Sequence, residues 1–143
     1  MLLKSNAANF SYDEIVIGKV VSFERTITKE DVDTFSILTG DMNPLHIDYE
    51  FGRKSKFEKN IVHGMLCASL FSTLVGMHYP GEKCLYLGQT LQFRMPLFYG
   101  ETVEVRGKVL EKFDAIRIIK MKMEILRGKD LIVFGEARVK LTD

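Results

Sequence analysis

The stretch from Ile61 to Tyr79, IVHGMLCASLFSTLVGMHY, carries no Asp, Glu, Lys or Arg and is apolar at nearly every position. Nothing else in the chain restricts the fold as strongly. A membrane span needs about 20 apolar residues, with a lower limit of roughly 17. His63 and His78 bracket the run, so the part between them is too short to cross. A helix apolar on every side belongs at the centre of a core. The rest of the chain must therefore cover it.

The rest of the chain has the material to do so. A chain of 143 residues forms one domain, spanning 1–143, that buries about 70% of its unfolded surface. With 46% hydrophobic and 27% charged residues it is neither disordered nor of low complexity. Twenty Lys and Arg against nineteen Asp and Glu leave a net charge of +1, which excludes the electrostatic footprint of a nucleic-acid or anionic-membrane binder. Met1 to Asn6 turns polar before it can supply the apolar core of a signal peptide. Cys67 and Cys84 lie far apart with no CxxC and no metal spacing, which fits two reduced, buried thiols in a cytoplasmic protein.

Periodicity supplies the elements. Ile15 to Thr28 reads as a first strand around Gly18. Thr28 is placed as an N-cap, with Glu30 and Asp31 in the first turn and Gly40 as the stop. Val32, Phe35 and Leu38 form the apolar stripe of that short helix. A polar loop follows, Asp41 to Asp48, in which Pro44 bars a continuous helix. The charged stretch Arg53 to Lys59 leads into the apolar helix.

After Gly81 the period becomes two. Leu85, Leu87, Gln89, Leu91 and Phe93 alternate with Tyr86, Gly88, Thr90 and Gln92. Val103, Val105, Gly107 and Val109 form a second such series, and Ile119, Met121, Met123 and Ile125 a third. Arg127 to Asp130 turns the chain into Leu131–Leu141, with Ala137, Val139 and Leu141 on one face. Such alternation predicts an antiparallel sheet with one wet side and one core side. The α+β inventory is one helix needing complete cover and a meander of about four strands curved around it. An edge strand rich in β-branched residues predicts pairing into a dimer.

Asp41, Asn43, His46 and Asp48 crowd into eight residues beside this helix. A carboxylate and an imidazole on one constrained turn can hold a water between them, and apolar walls would make Asp41 a usable base. The same residues also suit a plain turn, with Asp41 and Asn43 capping backbone and His46 bonded to a carbonyl. Composition and spacing leave both readings open.

The motif as a whole is more specific. Phe35-x-x-Leu38-Thr39-Gly40-Asp41-x-Asn43-Pro44-Leu45-His46-x-Asp48 closely resembles the signature of (R)-specific enoyl-CoA hydratases of the MaoC-like, hot-dog family. The resemblance continues through Ile61–Leu66, Ala68–Ser72, Leu85–Gln89 and Phe93 to Glu101, so it covers essentially the whole chain. Gly52 departs from it, since the signature usually has Ala or Ser there. That change puts in doubt only local helix stability, at about 1 kcal/mol.

The resemblance implies a single hot-dog domain that adds water syn across a trans-2-enoyl-CoA to give the (R)-3-hydroxyacyl thioester. Asp41 would be the base and His46 the proton donor, a coupled pair sharing one water. Gly64, opening the apolar helix, would admit the thioester to an oxyanion hole of backbone N–H groups. As a packing residue it would only let the helix approach a strand. Asn43 and Ser72 match positions that help hold the pair, although Ser72 could instead bond a carbonyl one turn back. His63 reads as a contact where the chain enters the helix.

No cofactor or metal is implied, since coenzyme A is part of the substrate. The expected partners are an acyl-CoA thioester and a second copy, as a homodimer or dimer of dimers, with no nucleic acid and no membrane. Arg53, Lys54, Lys56 and Lys59 could meet the phosphates of coenzyme A or form a solvated run, and none is assigned.

Rival hot-dog chemistries, thioesterases and fatty-acid dehydratases, commonly use a carboxylate on the central helix. Ile61 to Tyr79 has none. A 3-hydroxyacyl-[acyl-carrier-protein] dehydratase using the same Asp–His pair, and a non-catalytic acyl-CoA-binding module, remain as alternatives.

Overall fold

The computed structural model describes residues 2–143. Strand β1 (Val20–Thr26) leads into α1 (Lys29–Thr39), then two short helices, α2 (Pro44–Ile47) and α3 (Tyr49–Lys54). Helix α4 (Gly64–Thr73) follows, and then β2 (Cys84–Gln89), β3 (Gln92–Phe93), β4 (Thr102–Phe113), β5 (Ile118–Arg127) and β6 (Asp130–Leu141). The sheet is antiparallel throughout, in the order β1-β4-β5-β6-β2, with β3 also paired to β6. No helix among the described residues is long and apolar enough to cross a membrane.

One sheet face packs on α4. Val103, Val105, Val109, Ile119, Met121, Met123, Ile125, Ala137, Val139 and Leu141 are all buried and meet Cys67, Ala68, Leu70, Phe71, Leu74 and Val75. The alternating series of the last three strands thus point inward as their period predicts. Arg127 and Asp130 close the β5–β6 hairpin across a two-residue turn with Gly128 at φ 59°. Both thiols are free, and burial pushes the Cys67 thiol up to about 12.

The apolar run departs from one uniform buried helix. Ile61 and Val62 are extended, with the Val62 N–H bonded to the Leu97 carbonyl at 2.8 Å. The last turn, Leu74–His78, widens to a π-turn, in which the Tyr79 N–H reaches the Leu74 carbonyl. Cover is also incomplete: Met65 is 57% exposed, and Ser69 and Ser72 face outward. A single curved sheet shields one side of a helix, and the other side stays open.

Three local readings change. The first strand begins at Val20, because Tyr12–Glu14 is a 3₁₀ turn and Gly18 sits at φ 86°. On α1, Thr28 caps and Gly40 terminates, but the buried stripe is Val32 and Ser36, while Leu38 is 80% exposed. Three-residue steps drift around a helix, and the four-residue step keeps the face. On β2, Leu85 and Leu87 point outward whereas Cys84 and Tyr86 pack on the core. Both series on that strand are apolar, so alternation alone does not choose the inner face.

The break between β2 and β3 has a visible cause. Thr90 crosses over β6, with its N–H on the Glu136 carbonyl at 2.9 Å and its Oγ1 accepting from the Glu136 N–H at 2.9 Å. A Cβ on Gly135 would sit 1.8 Å from the Thr90 carbonyl oxygen. Gly135→Ala is therefore expected to lower unfolding free energy by about 2–3 kcal/mol, read by urea denaturation. A loss within error would mean that this crossing moves freely.

Candidate functional site

Gly40, at φ 80°, turns the chain out of α1 into Asp41. The Asp41 N–H donates to Thr39 Oγ1 at 3.2 Å, and its Oδ1 accepts from the Asn43 N–H at 3.2 Å. The carboxylate is thereby folded onto its own turn while remaining exposed. Asn43 Oδ1 accepts from the Leu45 N–H at 3.0 Å and so caps α2. Pro44 starts that helix, a position where its missing N–H costs nothing. Pro44 interrupts α1 and α2 as its type requires, but it opens a helical turn where a loop was expected.

That single turn aims His46 back at the core. Its Nδ1 lies 2.8 Å from the Ile61 carbonyl oxygen. A carbonyl accepts only from N–H, so Nδ1 carries a proton, and the ring is oriented with Nε2 away from the Ile61 carbonyl. The Ile61 N–H in turn donates to the Leu45 carbonyl at 3.3 Å.

Asn60 locks the turn from behind. Its Nδ2 donates to the carbonyls of Leu45 at 2.9 Å and Asp48 at 2.8 Å, with Pro44 at 3.3 Å. A Cβ on Gly52 would lie 2.5 Å from that Nδ2 and 2.7 Å from the Asn60 backbone nitrogen. Glycine at 52 therefore does more than weaken α3: it makes room for the side chain that holds the loop.

His63 was read from sequence as a contact at the helix start, and it does N-cap α4 by position. It also belongs to the site. The ring is 2% exposed, with Nε2 3.2 Å from the Asp41 carbonyl oxygen and 3.1 Å from Ser36 Oγ. It packs tilted against His46, at 4.0 Å between centroids and 30° between planes, and against Phe35 at 4.8 Å and 55°. Nδ1 is buried with no partner among the described residues. Burial holds the His63 pKa below 6.5, against the opposing pull of its bond to the Asp41 carbonyl. The sequence signals were a lone imidazole at the mouth of an uncharged helix and a serine at a buried helical position, since buried polar groups need partners.

One ligating atom from each of Asp41, His46 and His63 lies within 4.8 Å of the others. Two imidazoles and a carboxylate are also a metal-binding set. His63 Nε2 commits its proton to the Asp41 carbonyl, so the nitrogen of that ring that keeps a lone pair is its unpartnered Nδ1. What the arrangement offers directly is a carboxylate and an imidazole brought within 4.8 Å of each other.

The other sequence candidates are spread along α4. Gly64 is its first residue, and no side chain caps the turn, so its leading N–H groups stay available. A Cβ there would approach the Phe93 ring to 2.8 Å, which is the packing role in physical form. Ser72 lies two turns further on, exposed, in a cleft of about 340 Å³ shared with Phe35, Met65, Tyr86 and Gln89. No hydrogen bond joins it to Asp41 or His46 among the described residues. Arg53 pairs with Glu50 at 2.8 Å, and Lys59 sits 4.5 Å over the Phe98 ring.

Comparison with known proteins places this geometry in a lineage. The model of the MaoC like domain matches residues 14–127. The chain is 39% identical over 133 residues to an (R)-specific enoyl-CoA hydratase of Aeromonas caviae, covering 92% of this chain and 98% of that one. It is 34% identical to a mitochondrial 3-hydroxyacyl-[acyl-carrier-protein] dehydratase of Solanum lycopersicum, over 95% of this chain and 83% of that one. Among solved structures, an R-hydratase from Pseudomonas aeruginosa superposes with a TM-score of 0.91 at 30% identity, covering 96% of this chain and 88% of that one.

The buried, neutral His63 has a measurable signature. A folded-state pKa depressed below 6.5 contributes stability that is present above that value and lost as pH falls through the folded value. His63→Gln, which keeps a donor for the Asp41 carbonyl, is expected to flatten the acid limb of a melting-temperature profile. An unchanged acid limb in the variant would show that His63 is not the group responsible.

Proposed function

The chain belongs to the MaoC-like domain family, and from that footing we propose that it is an (R)-specific enoyl-CoA hydratase, a hydro-lyase adding water reversibly across trans-2-enoyl-CoA. The observation that carries the reading is the approach of the Asp41 carboxylate and the His46 ring, within 4.8 Å, at the front of α4.

The reaction breaks one water O–H bond and the π bond between the α- and β-carbons, and forms C–O at the β-carbon and C–H at the α-carbon on the same face. Asp41 takes the proton of the attacking water. His46, protonated at Nε2 with Nδ1 held on the Ile61 carbonyl, delivers a proton to the α-carbon and recovers one from Asp41 as the cycle closes. Negative charge develops meanwhile on the thioester oxygen. The uncapped N–H groups of the first turn of α4 are the donors suited to it, at the positive end of the helix dipole. Asn43 supports the pair through its backbone N–H on Asp41 Oδ1 and its cap on α2. Ser72 is assigned to the wall of the acyl cleft, beside Phe35.

A carrier-protein dehydratase would run the same chemistry in reverse, and relatives of both names share the fold. A mere binding module has no use for an imidazole whose tautomer is set to face a carboxylate. The two free thiols suit a reducing compartment such as the cytoplasm.

We further propose a homodimer built on the open edge of β2. Among the described residues that strand pairs only with β6, and its outward Leu85 and Leu87 are 55% and 47% exposed. The wild type should elute as a dimer in light scattering, and Leu85→Glu with Leu87→Glu as a monomer. A monomeric wild type refutes this interface.

Asp41→Asn should fold as the wild type does and lose about 10³-fold in hydration of crotonyl-CoA, followed by ultraviolet loss of the enoyl thioester. Chiral analysis of the product should give the (R)-alcohol. Near-wild-type turnover in the variant would remove Asp41 from the mechanism.

A further inference from the structure

Two clefts meet at the first turn of α4, and they differ in charge. Met65 lines both. The smaller, with Phe35, Ser72, Tyr86 and Gln89, has no ionisable acid, lysine or arginine in its wall. The larger, about 560 Å³, runs from Ile61 and Gly64 along the Phe93 ring to Lys56 and Arg94. Those two are the charged residues of its lining, and both are cationic.

Neither cation is spent elsewhere. No ion pair of the described residues includes Lys56 or Arg94, although Arg25, Arg53, Arg106, Arg117 and Arg127 all have acidic partners. Lys56 Nζ lies 5.1 Å from the Phe57 ring, and Arg94 is fixed at its backbone by the N–H bond to the Ile132 carbonyl at 2.8 Å. The two side chains are exposed, one from the loop after α3 and one from the chain just past β3, on the rim of the same opening. In a chain of net charge +1, an acid-free cleft with two unpaired cations at its mouth is a local feature and not a bulk one.

The inner end of this cleft is the segment that carries the chemistry. Ile61 accepts from His46, His63 bonds Asp41, and Gly64 opens the uncapped turn. A thioester lying with its carbonyl at that turn has an apolar acyl end and an anionic phosphate-bearing arm, and the two clefts offer one environment for each.

We propose that Lys56 and Arg94 form a phosphate-binding rim that grips the arm of the thioester substrate as it enters the larger cleft. The proposal rests on the hydratase reading and names how that site receives its substrate. An Arg and a Lys suit the task in different ways, the one as a two-toothed fork on phosphate oxygens, the other as a mobile point charge. The 4′-phosphate is common to coenzyme A and carrier-protein thioesters, whereas the nucleotide phosphates belong to coenzyme A alone.

The test compares wild type with Lys56→Ala/Arg94→Ala on crotonyl-CoA, crotonyl-4′-phosphopantetheine and crotonyl-pantetheine. For crotonyl-CoA the double variant should show KM raised about tenfold with kcat unchanged, and the wild-type KM should rise with salt. Crotonyl-pantetheine, which has no phosphate, should be turned over equally by both proteins. Loss on both phosphorylated substrates assigns the rim to the shared 4′-phosphate, and loss on crotonyl-CoA alone to the nucleotide end. An unchanged KM for crotonyl-CoA, or an equal loss on all three substrates, overturns the proposal. Calorimetric binding of coenzyme A itself reads the rim without turnover: equal affinity in both proteins refutes it. Absence of hydration by the wild type on every substrate would instead defeat the hydratase reading.

Discussion

The site depends on three extended residues, Ile61 to His63, that join the catalytic loop to the front of the buried helix. Each makes a bond that fixes something else. The Ile61 carbonyl orients His46, the Val62 N–H ties the segment to Leu97, and His63 holds the Asp41 backbone. The loop from Asp41 to Asp48 is mostly exposed and would be mobile by itself. It borrows rigidity from α4 and the π-turn that follows it, where Phe71, Leu74 and Val75 are almost wholly buried. Positioning of this kind is worth much in catalysis, because a misplacement of about 1 Å can cost two orders of magnitude.

The same junction concentrates unsatisfied polar groups. The leading N–H groups of α4 have no side-chain cap, and His63 Nδ1 is buried without a partner. Unpaired buried polar atoms are costly, at roughly 1–3 kcal/mol each. The strongly satisfied surroundings offset this: Asn60 serves three carbonyls, and Thr28 and Asp31 close a reciprocal cap on α1. Among the described residues the other buried unpartnered side-chain atom is the Tyr99 hydroxyl, away from this junction, so the site holds one such departure and not all of them.

Much of this was legible in advance, for reasons that separate the successes from the failures. Ile119, Met121, Met123 and Ile125 alternate with charged residues, so one face had to be core. Leu85 and Leu87 alternate with Tyr86, which is also apolar, and the pattern could not rank the two faces. The uncovered flank of α4 was likewise invisible, because composition records that a helix is apolar and not how much cover one sheet supplies. In the site, the Asp41–His46 loop announced itself by its crowding of polar side chains. Ser36 and Asn60 did not, since their partners, the His63 ring for the one and three loop carbonyls for the other, are brought near by folding, and no spacing rule counts those. His63 stood in plain view, yet its place against His46 follows from the extended entry of α4, which periodicity does not describe.

The adjacent imidazoles also impose a division of labour. Two like charges 4 Å apart repel by about 4 kcal/mol at an effective dielectric of 20. With ring centroids 4.0 Å apart, His46 and His63 cannot both be cationic at reasonable cost. Burial settles which one stays neutral, because desolvation lowers the His63 pKa and the charge on His46 adds to that effect. A neutral imidazole is also the form that donates one hydrogen bond to the Asp41 carbonyl without drawing the carboxylate toward itself. Burying His63 thus fixes it as a neutral donor to the Asp41 backbone and leaves the acid–base work of the site to the other ring and the carboxylate.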